Sequence, residues 1–142
     1  MATATVSAPS QSALYGPVTL LGRILLALIF LMAGPNHFVK TTIAFAGSQG
    51  VPMASVLVPI SGAIALLGAL SIILGYRVRI GAWLIVLFLV CVTPALHNFW
   101  AVSDPMMHQI QMIMFMKNLS MMGGALLISQ FGPGPWSLDG RK

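Results

Sequence analysis

Acidic side chains are almost absent from this sequence of 142 residues. It contains two aspartates, Asp104 and Asp139, and no glutamate, and charged residues make up only 6% of the chain. A soluble domain carries about 25% charged residues, so this composition excludes a soluble fold. The shortage of acids also argues against a self-contained hydrolase or a proton-coupled transporter, because carboxylates commonly serve as general acids and bases in proton transfer.

Cysteine is equally scarce, since Cys91 is the only one and cannot form an internal disulfide. The sequence has no CxxC pair, no phosphate-binding loop and no Ser–His–Asp set. No cluster of His, Cys and acid is spaced for a metal ion. We therefore predict neither catalytic residues nor a metal site. The seven basic residues are dispersed, so the net charge of +5 does not indicate nucleic-acid binding.

Long apolar runs dominate what is present, because 58% of the residues are hydrophobic. Four runs reach the length of about 20 residues that crosses a bilayer. They cover about 17–38, 52–74, 80–100 and 105–129. The connections between them are short, including a loop from Lys40 to about Gly50. Residues 16–131 are thus predicted to form one all-α transmembrane domain, an up-down four-helix bundle in the lipid bilayer.

The two ends of the chain are predicted to lie on the cytoplasmic side. Residues 1–15 are small and polar and lack the basic region of a secretory signal, which predicts a retained, disordered tail. Arg77 and Arg79 lie in the second connection, and Arg141 and Lys142 lie in the C-terminal tail, 132–142. Positively charged connections favour the cytoplasm, so both termini are expected there.

Lys117 is a cation near the middle of the fourth run. The nearest acid, Asp104, precedes it by thirteen residues, roughly 20 Å along a helix. An ammonium group at the bilayer centre costs at least about 2.5–3.5 kcal/mol. Lys117 therefore needs a polar cavity, backbone carbonyls, a ligand, a partner chain or loss of its proton. With the amide of Asn118 it could bind a carbonyl or anionic ligand, or the two could only hold helices together.

Other polar side chains lie nearer the ends of the runs. Arg23 is long enough to reach the inner headgroups by snorkelling, or it could face the bundle and share an anionic ligand with Lys117. His37, His97 and Trp100 are predicted at the outer end. There the histidines are hydrated, share a polar pocket or, least favoured, bind a metal.

Three motifs carry a resemblance to a known family. They are the Arg77-x-Arg79 connection after Gly75 and Tyr76, the sequence HNFW that begins at His97, and the sequence FMKNLSMMGG around Lys117. Over about residues 20–130 the chain resembles the DoxX family of four-helix bacterial membrane proteins. The resemblance implies the bacterial inner membrane, a multi-pass topology and a link to redox metabolism. Many relatives carry acids where this chain has Ala65 and Asn98, so two carboxylates are missing.

Together these features lead to one functional prediction. The protein is predicted to be a membrane subunit of a redox assembly that holds a quinone or another lipophilic electron carrier. It would be at most a non-catalytic or quinone-binding subunit of an oxidoreductase, with electrons coming from a partner. The chain is expected to associate with partner subunits or as a homo-oligomer. The ligand-binding candidates are Lys117, Asn118, Arg23, His97, Trp100 and His37. The alternatives are a structural accessory subunit of a larger membrane complex and a small-solute carrier.

Overall fold

Four long apolar helices build the molecule. The computed structural model describes residues 13–141, so most of the predicted N-terminal tail lies outside the described residues. The α-helices are α1, Tyr15–Ala33; α2, Lys40–Ser48; α3, Ala54–Leu74; α4, Val78–Leu96; and α5, Pro105–Phe131. Short 3-10 helices follow at Gly34–Phe38, Phe99–Ala101 and Asp139–Arg141.

The predicted fold class is confirmed. Four helical segments are long and apolar enough to cross a membrane, namely Tyr15–Phe38, Ala54–Leu74, Val78–Ala101 and Pro105–Phe131. No strand occurs between residues 13 and 141. We call the end of the bundle that holds Tyr15, the α3–α4 turn and the C-terminal segment the tail end, and the opposite end the α2 end.

The connection from Lys40 to Gly50 differs from the predicted loop, because Lys40–Ser48 forms α2. Only nine residues long, it is too short to cross a bilayer and packs instead on α3 and on the 3-10 helix Gly34–Phe38. Gly50, at φ +86°, then turns the chain toward α3. That conformation is open to glycine without steric cost.

Small residues bring the long helices together at the tail end. A Cβ atom on Gly68 would lie 3.0 Å from the carbonyl oxygen of Gly81, and one on Gly81 would collide with the side chain of Ser71. Close backbone approach of this kind is how membrane helices gain van der Waals contact. The core beside this contact combines small and large apolar side chains, including Ala69, Ile72, Ala82, Ile85 and Leu89, all almost fully buried.

The C-terminal segment folds back across the tail end. The backbone N–H groups of Leu138 and Asp139 donate to the carbonyl oxygens of Leu74 and Gly75, at 3.2 and 2.9 Å. The carboxylate of Asp139 accepts from the N–H of Val78 at 3.3 Å, at the first residue of α4. The segment therefore satisfies backbone groups that the ends of α3 and α4 leave free.

Candidate functional site

His37 is held at the α2 end by two close helix contacts. A Cβ on Gly34 would lie 2.6 Å from the Leu66 side chain, and one on Gly62 would lie 2.5 Å from the Cβ of His37. The 3-10 helix therefore lies directly on α3. The His37 ring packs edge-on against Phe88 of α4, with 5.5 Å between ring centroids.

A cavity of about 440 Å³ lies beside His37, between α2, α3 and α4. Most of its wall is apolar, and the polar side chains in the wall are those of His37, Thr42, Gln49, Ser61 and Cys91. The apolar lining includes Val58, Ile64, Leu87, Phe88, Val92 and Ala95. The cavity thus lies at the end of the α3–α4 pair opposite to the close Gly68–Gly81 contact.

The chemistry of this lining favours a lipophilic ligand with a small polar group. Nδ1 of His37 lies 3.3 Å from the carbonyl oxygen of Ala33, and a carbonyl can only accept, so Nδ1 carries the hydrogen in that bond. In the neutral ring Nε2 is then an acceptor. Thr42 and Gln49, near α2, add donors and acceptors. The wall that α3 and α4 contribute is mostly apolar, with Ser61 and Cys91 as its polar side chains.

His97 and Trp100 follow the end of α4, where Trp100 belongs to an aromatic group. Nδ1 of His97 donates to Oε1 of Gln111 at 2.8 Å, which ties the end of α4 to α5. The rings of Phe99 and Trp100 pack edge-on, 5.2 Å apart, and Phe99 also contacts the rings of His108 and Phe115. Neither His97 nor Trp100 lines the cavity. The contacts among the described residues do not join His97 to His37.

Asn118 and Lys117 are adjacent in sequence but point to different environments. Asn118 is buried and donates from Nδ2 to Oγ1 of Thr93, also buried, at 3.1 Å. This bond joins α4 to α5, as expected if Asn118 serves to hold helices together. Lys117 is exposed, and its Nζ donates to Sδ of Met114 at 3.1 Å. Neither residue lines the cavity, and their ligand role stays a prediction.

The prediction that Arg23 reaches the inner headgroups by snorkelling is wrong. The residue is 2% exposed, and its Nη2 donates to the carbonyl oxygen of Trp136 at 2.6 Å. A Cβ on Gly75, the C-cap of α3, would collide with Nη1. The guanidinium therefore lies at the negative end of the α3 dipole. Within residues 13–141, Nε and Nη1 have no hydrogen-bond partner.

Of the six sequence candidates, His37 alone lines the cavity. Thr42, Gln49, Ser61 and Cys91 were missed, because a single polar residue in an apolar or loop segment has no distinctive spacing. Gly62 belongs with them, because its missing side chain is what admits His37. Among the described residues, no group of three or more His, Cys, Asp or Glu side chains could hold a metal ion.

Comparisons with known proteins agree with a bacterial membrane location. The chain is 33% identical over 128 residues to the inner membrane protein YphA of Escherichia coli (strain K12), covering 88% of this chain and 91% of that protein. It is 32% identical over 126 residues to the inner membrane protein YqjF of the same organism, covering 84% and 88%. No solved structure matches.

The assignment to the DoxX family is wrong. The family profile that matches is that of the SURF4 family, and the match covers residues 7–142. The DoxX motifs were short and lay in an apolar background common to many membrane helices, and the acids expected at Ala65 and Asn98 were absent. The match over nearly the whole chain overturns that resemblance. This multi-pass protein of the bacterial inner membrane belongs to the SURF4 family.

Proposed function

We propose that this protein holds a lipophilic small molecule in the cavity between α2, α3 and α4. A quinone serving a redox partner is the first candidate for that molecule. The chain would act as a binding subunit, and the partner would supply or accept the electrons. The observation that carries the proposal is the cavity itself, at about 440 Å³. Ligand pockets in proteins typically measure about 300–1,000 Å³ and are mostly apolar with a few polar groups.

The position of the polar groups supports one orientation of the ligand. His37 and Thr42 lie on the segment that covers the α2 end, whereas Ile64 of α3 and Leu87 of α4 belong to the apolar wall of the cavity. A polar head would bond to the first pair, and a hydrocarbon chain would extend along the second. A quinone ring offers carbonyl oxygens that accept from Thr42 or Gln49, and a quinol hydroxyl donates to Nε2 of neutral His37.

The exposure of the lining supports a lateral route of entry. Ile60 of α3 is 49% exposed, and Leu87 of α4 is 51% exposed. Both line the cavity, so it opens sideways between these helices, on a surface that lipid would cover. A water-insoluble ligand could therefore pass from the bilayer into the cavity without crossing an aqueous phase.

The test is to identify what stays bound to the protein when it is purified in mild detergent. Mass spectrometry of wild type is compared with Ala95→Phe, which places a ring in the cavity wall. Ala44→Phe is the matched control, because Ala44 is exposed on α2 and does not line the cavity. We expect a lipophile in wild type and in the control, and its loss from Ala95→Phe.

The identity of the molecule decides the redox part of the proposal. A bound quinone supports it, whereas a phospholipid or free fatty acid supports a binding function without redox chemistry. No bound lipophile, or equal occupancy in folded Ala95→Phe, would remove the basis of the proposal. The same measurement on Lys117→Met tests the separate prediction that Lys117 and Asn118 bind the ligand.

A further inference from the structure

Lys117 lies on an exposed face of α5, far from both ends of the helix. It is the thirteenth residue of Pro105–Phe131, roughly 18 Å from the start and roughly 21 Å from the end of the helix at about 1.5 Å per residue. Its Nζ has the sulfur of Met114 as its hydrogen-bond partner, and a thioether is a weak acceptor. A cation at this depth needs a better partner than the chain provides.

Neither aspartate of this chain can serve as that partner. The chain has two aspartates and no glutamate, and both aspartates bond to helix starts. Oδ1 of Asp104 accepts from the N–H of Met107 at 2.8 Å, capping α5, and Asp139 bonds to Val78 at the tail end. Both lie outside the four membrane spans. A charged Lys117 therefore takes its counter-charge from another molecule.

The surface beside Lys117 suits contact with another helix. We call it the α5 outer face: its residues recur every three or four positions and are all exposed, namely Gln109, Ile113, Met116, Ser120, Gly123, Leu127 and Gln130. A Cβ on Gly123 would meet no atom within 4 Å, so the centre of this face is open. Small residues such as Ser120 and Gly123 allow a second helix to approach closely. Of the four spans, that of α5 has the smallest buried share.

A second copy of this chain is a poor occupant of the α5 outer face. A two-fold axis along the membrane normal would bring two Lys117 side chains to the same depth on facing helices. Like charges so placed repel each other, and the copy has no carboxylate in any span. The charge of Lys117 therefore selects a different protein.

We propose that the α5 outer face binds a transmembrane helix of another membrane protein, and that this helix carries an Asp or Glu at the depth of Lys117. The carboxylate and the ammonium form an ion pair within the membrane, shielded from water. Acidic residues in membrane spans are rare and usually face protein or an aqueous cavity, so such a helix would be recognised by charge as well as by shape. This inference stands independently of the cavity.

The first test places a photo-reactive amino acid at Met116, on the α5 outer face, in the full-length protein in cells. Leu67, 61% exposed on α3, is the control position. We expect a protein adduct from position 116 and none from position 67, with mass spectrometry identifying a partner that has Asp or Glu within a span.

The yield of this adduct should fall about tenfold with Lys117→Met and be kept by Lys117→Arg. An adduct of two copies, a lipid adduct alone, or a yield that Lys117→Met leaves unchanged overturns the proposal.

The second test uses a defined probe and does not depend on finding the natural partner. A synthetic Leu/Ala transmembrane helix with one central Glu is compared with its Gln counterpart, and binding to the full protein is measured by energy transfer in phospholipid vesicles. We expect the Glu helix to bind wild type about fivefold to tenfold more tightly. The preference should disappear with Lys117→Met. Equal binding of the two helices to wild type would contradict the pairing.

Discussion

Gly75 lies where α3, Arg23 and the C-terminal segment meet, so adding one methyl group there tests how the tail end is held. Its φ is +65°, and a Cβ would collide with Nη1 of Arg23 and with Cβ of Ser137. Gly75→Ala is therefore expected to displace either the guanidinium or the segment that covers it. Gly50→Ala is the matched control, because Gly50 has a φ of +86° and no atom within 4 Å of the added Cβ.

The two substitutions share one cost and differ in another. Alanine in the left-handed region costs about 1–2 kcal/mol at either position. At Gly75 the collision also breaks the bond from Nη2 of Arg23 to the carbonyl oxygen of Trp136, and a hydrogen bond to a charged group contributes about 1.5–3 kcal/mol. We expect Gly75→Ala to lower the free energy of unfolding by about 2.5–5 kcal/mol in total, and Gly50→Ala by about 1–2 kcal/mol.

The free energy of unfolding is measured by reversible unfolding in mixed micelles with increasing dodecyl sulfate. Cysteine labelling gives a second readout: Ser137→Cys is placed in a Cys91→Ala background, since Ser137 is 4% exposed and Cys91 is the only native thiol. Labelling at position 137 should be slow in the parent and fast after Gly75→Ala. If Gly75→Ala costs no more than Gly50→Ala, or leaves position 137 protected, Arg23 does not hold the C-terminal segment in place.

Two further predictions concern polar contacts at the other helices. A double-mutant cycle of Thr93→Val and Asn118→Leu should give a coupling energy of about 0.6 kcal/mol and at most about 1.7 kcal/mol. A coupling energy of zero would mean that the buried hydrogen bond between Thr93 and Asn118 does not hold α4 to α5. Asp104→Ala should destabilise the protein by about 0.5–2 kcal/mol through loss of the α5 N-cap, whereas Asp104→Asn should be nearly neutral because asparagine caps equally well. Equal free energies of unfolding for the two variants would exclude a capping role for Asp104.

The sequence predicted the four long helices well because length and hydropathy are local properties. The predicted spans 17–38 and 105–129 correspond to Tyr15–Phe38 and Pro105–Phe131, so the boundaries agree within two residues. The helix α2 was missed for the opposite reason. Lys40–Ser48 is short and polar at its start, and it is stabilised by packing on α3 that no window of sequence contains.

The site was less predictable because it depends on contacts between distant residues. Burial of Arg23 requires the C-terminal segment, whose Trp136 is 113 positions away along the chain. The cavity exists because α2 covers one end of the α3–α4 pair, and its polar residues come from separate segments. His37 could be named from its place after Gly34 and Pro35, but the role of Gly62 in admitting its ring needed the packed structure.

The two ends of the bundle use small residues for opposite purposes. At the tail end the absence of side chains at Gly68 and Gly81 lets the backbones of α3 and α4 touch, and its absence at Gly75 leaves room for Arg23. At the α2 end Gly62 removes a side chain so that His37 enters beside a cavity. Proline lies within each helix on the open side, at Pro59 of α3 and Pro94 of α4, where a missing hydrogen bond makes bending easier. We therefore expect any motion that admits a ligand to separate α3 and α4 at the α2 end, while the closed tail end acts as the fixed point about which they move.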